Sequence, residues 1–302
     1  MDYSVKIGSV VLKNPVVTGS GTFGFGQEYN EYYDISQLGA IGAKGLTLQE
    51  RQGNPPHRIA ETPSGILNSV GLQNPGVHAF LEQDLPVLKK QNATVIANIS
   101  GNTIEEYCEM ASILSTSDVD IIEMNISCPN VKQGGVAFGT DDAVIYEITS
   151  RVKEHCRQPL VVKLSPNVTD IAKMAVAAQR GGADGISLIN TLLGMAIDIK
   201  TKRPVLANNV GGLSGPAVKP IALRMVWQVA NAVSIPIIGM GGIMTWEDAI
   251  EFILAGATAV SVGTACFLDP MAPIKVLNGI QQYLIDQNLE CFEDIRGKLI
   301  LN

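Results

Sequence analysis

The chain has 302 residues with a formal net charge of -7, 46% hydrophobic and 17% charged side chains. Those figures describe a folded protein with a large core and exclude a disordered chain or a basic nucleic-acid footprint. Five scattered cysteines without a CxxC pair and three histidines without ligand spacing predict no metal site on this chain and a reducing, cytoplasmic setting.

In chain order, Met1-Asp2-Tyr3-Ser4 carries an acid and leads into no apolar run, so no signal peptide is expected. Residues 5–12, around Gly8-Ser9, predict a small hairpin. Strands are then expected over 15–18, 40–44, 94–98, 120–125, 160–163, 185–190, 235–239 and 259–262. Helices are expected between and after them, over 30–38, 77–90, 104–115, 142–155, 168–180, 216–233, 245–255 and 273–285. Asn102-Thr103, Ser214-Gly215-Pro216 and Thr245 supply helix starts. The uncharged stretch 225–246 is broken by Pro236, Gly239, Gly241 and Gly242, which suits a helix, turn and strand and predicts no membrane span.

Eight strands alternating with eight helices predict an α/β protein, a (β/α)8 TIM barrel, which typically takes about 250 residues. The surplus falls in the N-terminal hairpin, an insert at 49–75 after strand two, and a hairpin-like insert at 196–212 after strand six. No composition shift divides residues 1–302, so one domain is expected.

Each strand ends in glycine or a polar group: Ser20, Lys44-Gly45, Asn98, Asn125 with Ser127-Cys128, Lys163, Asn190-Thr191, Gly241-Gly242 and Gly263-Thr264. Any one of these could be an ordinary turn residue, but a barrel brings all of its C-terminal strand ends to one mouth. The glycine turns after strands seven and eight lie where barrels bind phosphate through backbone N–H groups. The asparagines suit an imide edge such as that of a flavin or a pyrimidine, because an amide both donates and accepts. Lys44 and Lys163 each follow an apolar run and could stabilise a ring that gains negative charge. Cys128 is then the obvious proton acceptor, and the glycine-rich segment 131–140 is a lid candidate.

Five segments, Lys44-Gly45-Leu46-Thr47-Leu48, Gly53-Asn54-Pro55-Pro56, Glu61 to Gly76, Asn125 to Lys132 and Ile189-Asn190-Thr191, resemble those of the class 1 dihydroorotate dehydrogenases. The resemblance runs along nearly the whole chain. The ending Gly71-Leu72-Gln73-Asn74-Pro75-Gly76 is similar to class 1B, the NAD-linked type, and His57 stands where a proline is expected. The resemblance implies oxidation of dihydroorotate to orotate in pyrimidine biosynthesis, with Cys128 taking the C5 proton and C6 passing hydride to flavin N5. It implies FMN contacts at Ser20, Lys44, Gly45, Asn98, Asn125, Lys163 and Ile189, with the phosphate at Gly215, Gly241, Gly242, Gly263 and Thr264. Substrate contacts are implied for Lys44, Asn68, Ser69, Val70, Gly71, Leu72, Asn125, Asn190 and Thr191. A partner subunit carrying FAD and [2Fe–2S] is implied, in a heterotetramer of two copies of each chain. A related barrel, that of dihydropyrimidine dehydrogenase, is the nearest alternative, and a non-catalytic phosphate-binding barrel is another.

Overall fold

The computed structural model describes residues 2–127, 132–133 and 136–302, with 132–133 and 136–137 described by backbone alone. Eight short segments rich in β-branched residues pair in parallel: β1 (Val16–Thr18), β2 (Ile41–Gly42), β3 (Val95–Ile99), β4 (Ile121–Asn125), β5 (Leu160–Lys163), β6 (Gly185–Leu188), β7 (Ile237–Met240) and β8 (Ala259–Val262). Every residue in them is buried, as expected of strands covered on both faces. The sheet runs β1-β8-β7-β6-β5-β4-β3-β2 and closes between β1 and β2 through a Val17–Ala40 bridge. The barrel expected from the alternation of strands and helices is therefore present.

Closure explains why β2 is shorter than the 40–44 segment expected. A Cβ on Gly42 would lie 2.3 Å from the carbonyl oxygen of Thr18, so only glycine permits this approach. Gly42 N–H donates to Thr18 Oγ1 instead of a ladder carbonyl. At the opposite end, Val5–Ile7 pairs with Val10–Leu12 in the expected hairpin. A Cβ on Gly8 there would meet Pro159 and Asp184, just ahead of β5 and β6, so the hairpin covers the bottom of the barrel.

Helices Ile104–Leu114, Asp142–Lys153, Ile171–Arg180, Lys219–Ala230, Trp246–Leu254 and Ala272–Asp286 are found within a few residues of the expected spans. Their caps are local: Thr103 accepts from Glu106 N–H, and Thr245 with Asp248 forms a capping box. The helix expected over 77–90 is found as a helical run with a π-type stretch at Phe80–Asp84. The helix expected over 30–38 does not form. Asp34 adopts an extended backbone and accepts from Ser36 N–H, which breaks the segment into two single turns, Tyr29–Glu31 and Ile35–Gln37. Among the described residues no helix is long and apolar enough to cross a membrane.

The two inserts are one structure. Ile59–Thr62, Gly65–Asn68, Gly211–Ser214 and Leu192–Gly194 form a four-stranded antiparallel sheet over the barrel mouth. Its register sets Asn68 opposite Gly212 and Leu67 opposite Leu213.

Candidate active site

The floor of the mouth is built from three adjacent strands. Parallel register places Lys163 of β5 beside Asn125 of β4, and Glu123 of β4 beside Asn98 of β3. Asn98 Nδ2 donates to Glu123 Oε2 at 2.6 Å, and Lys163 Nζ lies 3.8 Å from the same oxygen. All four residues are buried. Asn98 Oδ1 has no hydrogen-bond partner, so it is an acceptor held ready beneath the mouth. A cavity of about 10 Å³, room for roughly one water, lies between Ser20, Glu123, Lys163 and Ser261.

One wall is a chain of amides. Asn190 Nδ2 donates to Asn125 Oδ1 at 3.1 Å and to Ser127 Oγ at 2.9 Å. Asn125 Nδ2 donates to Ser100 Oγ, and the Asn125 backbone carbonyl accepts from Tyr107 Oη at 2.7 Å. Asn190 Oδ1 accepts from Thr191 N–H, which fixes the orientation of that amide. The insert sheet brings Asn68 to the same wall, where its Nδ2 donates to Gly212 O. Thr191 packs so tightly on Gly212 that a Cβ there would be 2.0 Å from Thr191 Oγ1. Asn54 organises the neighbouring segment: its Nδ2 donates to Ser69 O and its backbone N–H to Val70 O. Gly71 has a positive φ and lies against Asn54, and Leu72 Cδ2 comes to 3.7 Å from where a Cβ on Gly45 would be.

Three glycine turns meet on the other side. Gly241 and Gly242 take positive φ after β7, as does Gly215 ahead of the Pro216–Val218 turn. A Cβ on Gly242 would lie 2.8 Å from the backbone nitrogen of Lys219 and 3.0 Å from Gly215 O. A Cβ on Gly241 would strike Ala222 and the side chain of Ile189, whose N–H donates to Met240 O. Gly263 faces nearly open space, and Thr264 Oγ1 donates to Ser214 Oγ at 2.8 Å. This donor set fits a planar ring with an imide edge and a terminal phosphate: glycine cradles at one end, and an orphaned acceptor with two lysines at the other.

The two lysines differ. Lys163 has Glu123, whereas the side-chain Nζ of Lys44 has no hydrogen-bond or ion-pair partner among the described residues, and burial pushes its pKa down. A groove of about 290 Å³ reaches Lys44 from the side, between Phe25 and the Glu50-to-Gln52 segment. Cys128, with Val131, Gly134 and Gly135 of the 131–140 lid candidate, lies outside the described residues. Of the lid, Lys132–Gln133 pairs with Val136–Ala137, and Phe138–Thr140 forms a single turn.

The strand-end residues that the structure describes lie together at this mouth, with one addition. Glu123 is the one charge in the buried strand β4, set between Ile122 and Met124, and a charge in a buried strand is rarely there without a partner. That was the available signal for it. The union of the two inserts, by contrast, joins residues about 145 positions apart (Leu67 to Leu213) and leaves no local trace.

A profile of the dihydroorotate dehydrogenase family matches residues 3–284. The chain is 60% identical over 299 residues to the dihydroorotate dehydrogenase B (NAD(+)) catalytic subunit of Alkaliphilus metalliredigens, covering 99% of both chains. It is 60% identical over 295 residues to the protein of that name from Alkaliphilus oremlandii, covering 98% of both. With the one from Thermoanaerobacter pseudethanolicus it shares 56% over 299 residues, 99% of both chains.

Proposed function

Because the chain belongs to the dihydroorotate dehydrogenase family, we propose that its barrel mouth binds FMN and oxidises dihydroorotate to orotate there. The protein is an oxidoreductase of pyrimidine synthesis, of the NAD-linked B type. The observation that carries the site assignment is the junction of the Asn125–Ser127–Asn190 hydrogen bonds with the glycine turns at one mouth.

In this reading Gly215, Gly241, Gly242, Gly263 and Thr264 hold the phosphate, and Ser20, Lys44, Gly45, Asn98, Asn125, Lys163 and Ile189 line the ring. Bound there, FMN supplies an acceptor for the two electrons that leave dihydroorotate. Asn68 to Leu72, Asn125, Asn190 and Thr191 hold the substrate by its amide and carboxylate edges, with Lys44 offering a cation to negative charge. Cys128 takes the C5 proton, since a thiol of pKa about 8.5 lies within reach of neutral pH when a cation is near. Lysines and oriented amides around a covered mouth favour the charge that develops as the substrate is oxidised.

NAD reduction belongs to a second subunit. The relatives are named as catalytic subunits, and although Gly19-Ser20-Gly21-Thr22-Phe23-Gly24 follows β1 with GxGxxG spacing, no helix opens on it, only the single turn Tyr29–Glu31, so it is no dinucleotide fingerprint. We assign FAD and [2Fe–2S] to that partner, in a cytoplasmic assembly of two copies of each chain. The isolated chain should reduce artificial acceptors and not NAD.

The test is a visible spectrum of the purified protein before and after anaerobic dihydroorotate, with dihydrouracil in parallel. A yellow protein bleached by dihydroorotate alone is expected, with FMN identified by mass after release. A colourless protein with no affinity for FMN would sink the assignment. Bleaching by dihydrouracil would turn it toward a dihydropyrimidine dehydrogenase-like activity.

A further inference from the structure

Glu123 has no role in the reaction described above, yet it is the one charged residue of β4 and its side chain is buried between β3 and β5. A buried carboxylate costs several kcal/mol unless it is paired, and buried pairs seldom add stability over an apolar core. Stability alone therefore does not account for it. Its contacts are specific: Asn98 Nδ2 at 2.6 Å, and Lys163 Nζ at 3.8 Å to the same oxygen.

An ionised carboxylate only accepts hydrogen bonds. By accepting from Asn98 Nδ2, Glu123 fixes which end of that amide is left over: the acceptor Oδ1, buried and unpartnered, beside Gly45. The contact with Lys163 has a different character. At 3.8 Å the charges attract, but no hydrogen bond forms, and among the described residues Nζ donates to none. Lys163 is thus neutralised in part while its N–H groups stay available to a ligand.

We propose that Glu123 is a positioning residue for the bound flavin. It turns Asn98 so that an acceptor faces the ring's imide N–H, and it offsets the Lys163 charge so that the reduced, negatively charged ring is not held too tightly. The proposal rests on the FMN reading above. It separates two effects, one on cofactor affinity through Asn98 and one on reduction potential through Lys163.

The experiment compares the parent protein with Glu123→Gln and Glu123→Asp, reading the FMN dissociation constant of the apoprotein by fluorescence quenching and the midpoint potential by dye equilibration. Glu123→Gln removes the charge and can itself donate, so Asn98 is free to turn. We expect FMN to bind about tenfold more weakly, and the two-electron equilibrium with the dye to shift about tenfold toward reduced flavin, about 30 mV upward. Glu123→Asp keeps the charge and shortens the reach, so affinity should fall while the potential stays at the parent value. Parent-like affinity and potential in Glu123→Gln would overturn the proposal. If Glu123→Gln does not fold, Glu123→Asp decides: a shifted potential with parent affinity is the opposite of what is proposed. Failure of the FMN reading is distinguishable, because the parent protein would then bind no FMN.

Discussion

A Cβ placed on Gly45 would stand 2.8 Å from Oδ1 of Asn98, closer than carbon and oxygen tolerate. The strand-two end and the strand-three end are thus fitted to each other, and Asn98 cannot retreat because Glu123 holds its amide nitrogen. Gly45→Ala should displace the Asn98 amide at a cost of about 1–3 kcal/mol, the range for forcing atoms into a packed site. The expected outcome is FMN binding weakened roughly tenfold to a hundredfold in apoprotein titrations. Unchanged binding would mean that Asn98 does not meet the cofactor.

The phosphate cradle offers a test that distinguishes the two ends of the ligand. Gly242 has φ +78° and no room for a Cβ against Lys219 and Gly215. Gly242→Ala should impose about 1–2 kcal/mol of left-handed backbone strain in addition to the clash. Its penalty should fall on FMN and spare riboflavin, which lacks the phosphate. Isothermal titration of the apoprotein with each ligand reads the ratio, and an equal loss for both would remove the turn from the phosphate site.

Lys44 carries a pH dependence whose sign follows from burial. Its pKa is lowered in the folded protein because the charged form is desolvated. Between that lowered value and the ordinary one near 10.5, the unfolded chain holds more protons, so this residue's contribution to stability rises with pH there. Anion binding has the opposite dependence. Orotate favours protonated Lys44, so its affinity should fall as pH rises through the lowered pKa, at a lower pH than for an ordinary lysine. Lys44→Arg keeps the charge at all these pH values and should flatten the profile. A parent profile that falls only where an ordinary lysine titrates, or not at all, would place Lys44 away from the anion.

Cys128→Ser tests the base. Loss of general-base catalysis typically costs about 10²–10⁴-fold, and a fall of that order is expected in flavin bleaching by dihydroorotate, with orotate binding nearly intact. In the parent the rate should rise with pH as the thiolate forms. Burial raises the pKa of Cys108, and pushes those of Cys156 and Cys266 up to about 12, so these thiols should resist iodoacetamide near neutrality. Peptide mapping should find the orotate-protected label on Cys128. Equal bleaching rates in parent and Cys128→Ser across pH would rule this residue out as the base.

Asp248 ties the cradle to the helix behind it. It accepts from Lys219 Nζ at 2.7 Å and from the N–H groups of Met244 and Thr245. Burial pushes its carboxyl upward, but the Lys219 bond and the two N–H groups outweigh that and leave its pKa lowered. A lowered carboxylate stabilises above its unfolded value, and that contribution is lost as pH falls through the folded one. Asp248→Ala should cost about 1–2 kcal/mol at pH 7, a lost cap and ion-paired bond. In thermal melts the gap to the parent should narrow below pH 4, and a constant gap would contradict the assignment.

The periodic features of the chain were legible because their causes are local. Apolar runs such as Leu160-Val161-Val162 and Ile237-Ile238 make buried strands wherever helices cover them, and Thr103 and Thr245 cap helices through their own next turn. From those elements the barrel follows, and with it the convergence of Asn98, Asn125, Lys163 and Asn190 on one mouth. Helical spacing over 30–38 misled because Asp34 found a closer backbone partner in Ser36 N–H. Tertiary structure alone decided two further relationships. Asn68 meets Gly212, which itself lies against Thr191, only after the two inserts pair, which a strand pattern cannot announce because antiparallel partners may come from anywhere in the chain. Glu123, read along the chain, is one charge among hydrophobic neighbours. It becomes the anchor of Asn98 and the counter-charge of Lys163 only because strand register sets β3, β4 and β5 side by side, and a charge acts on what is near it in space.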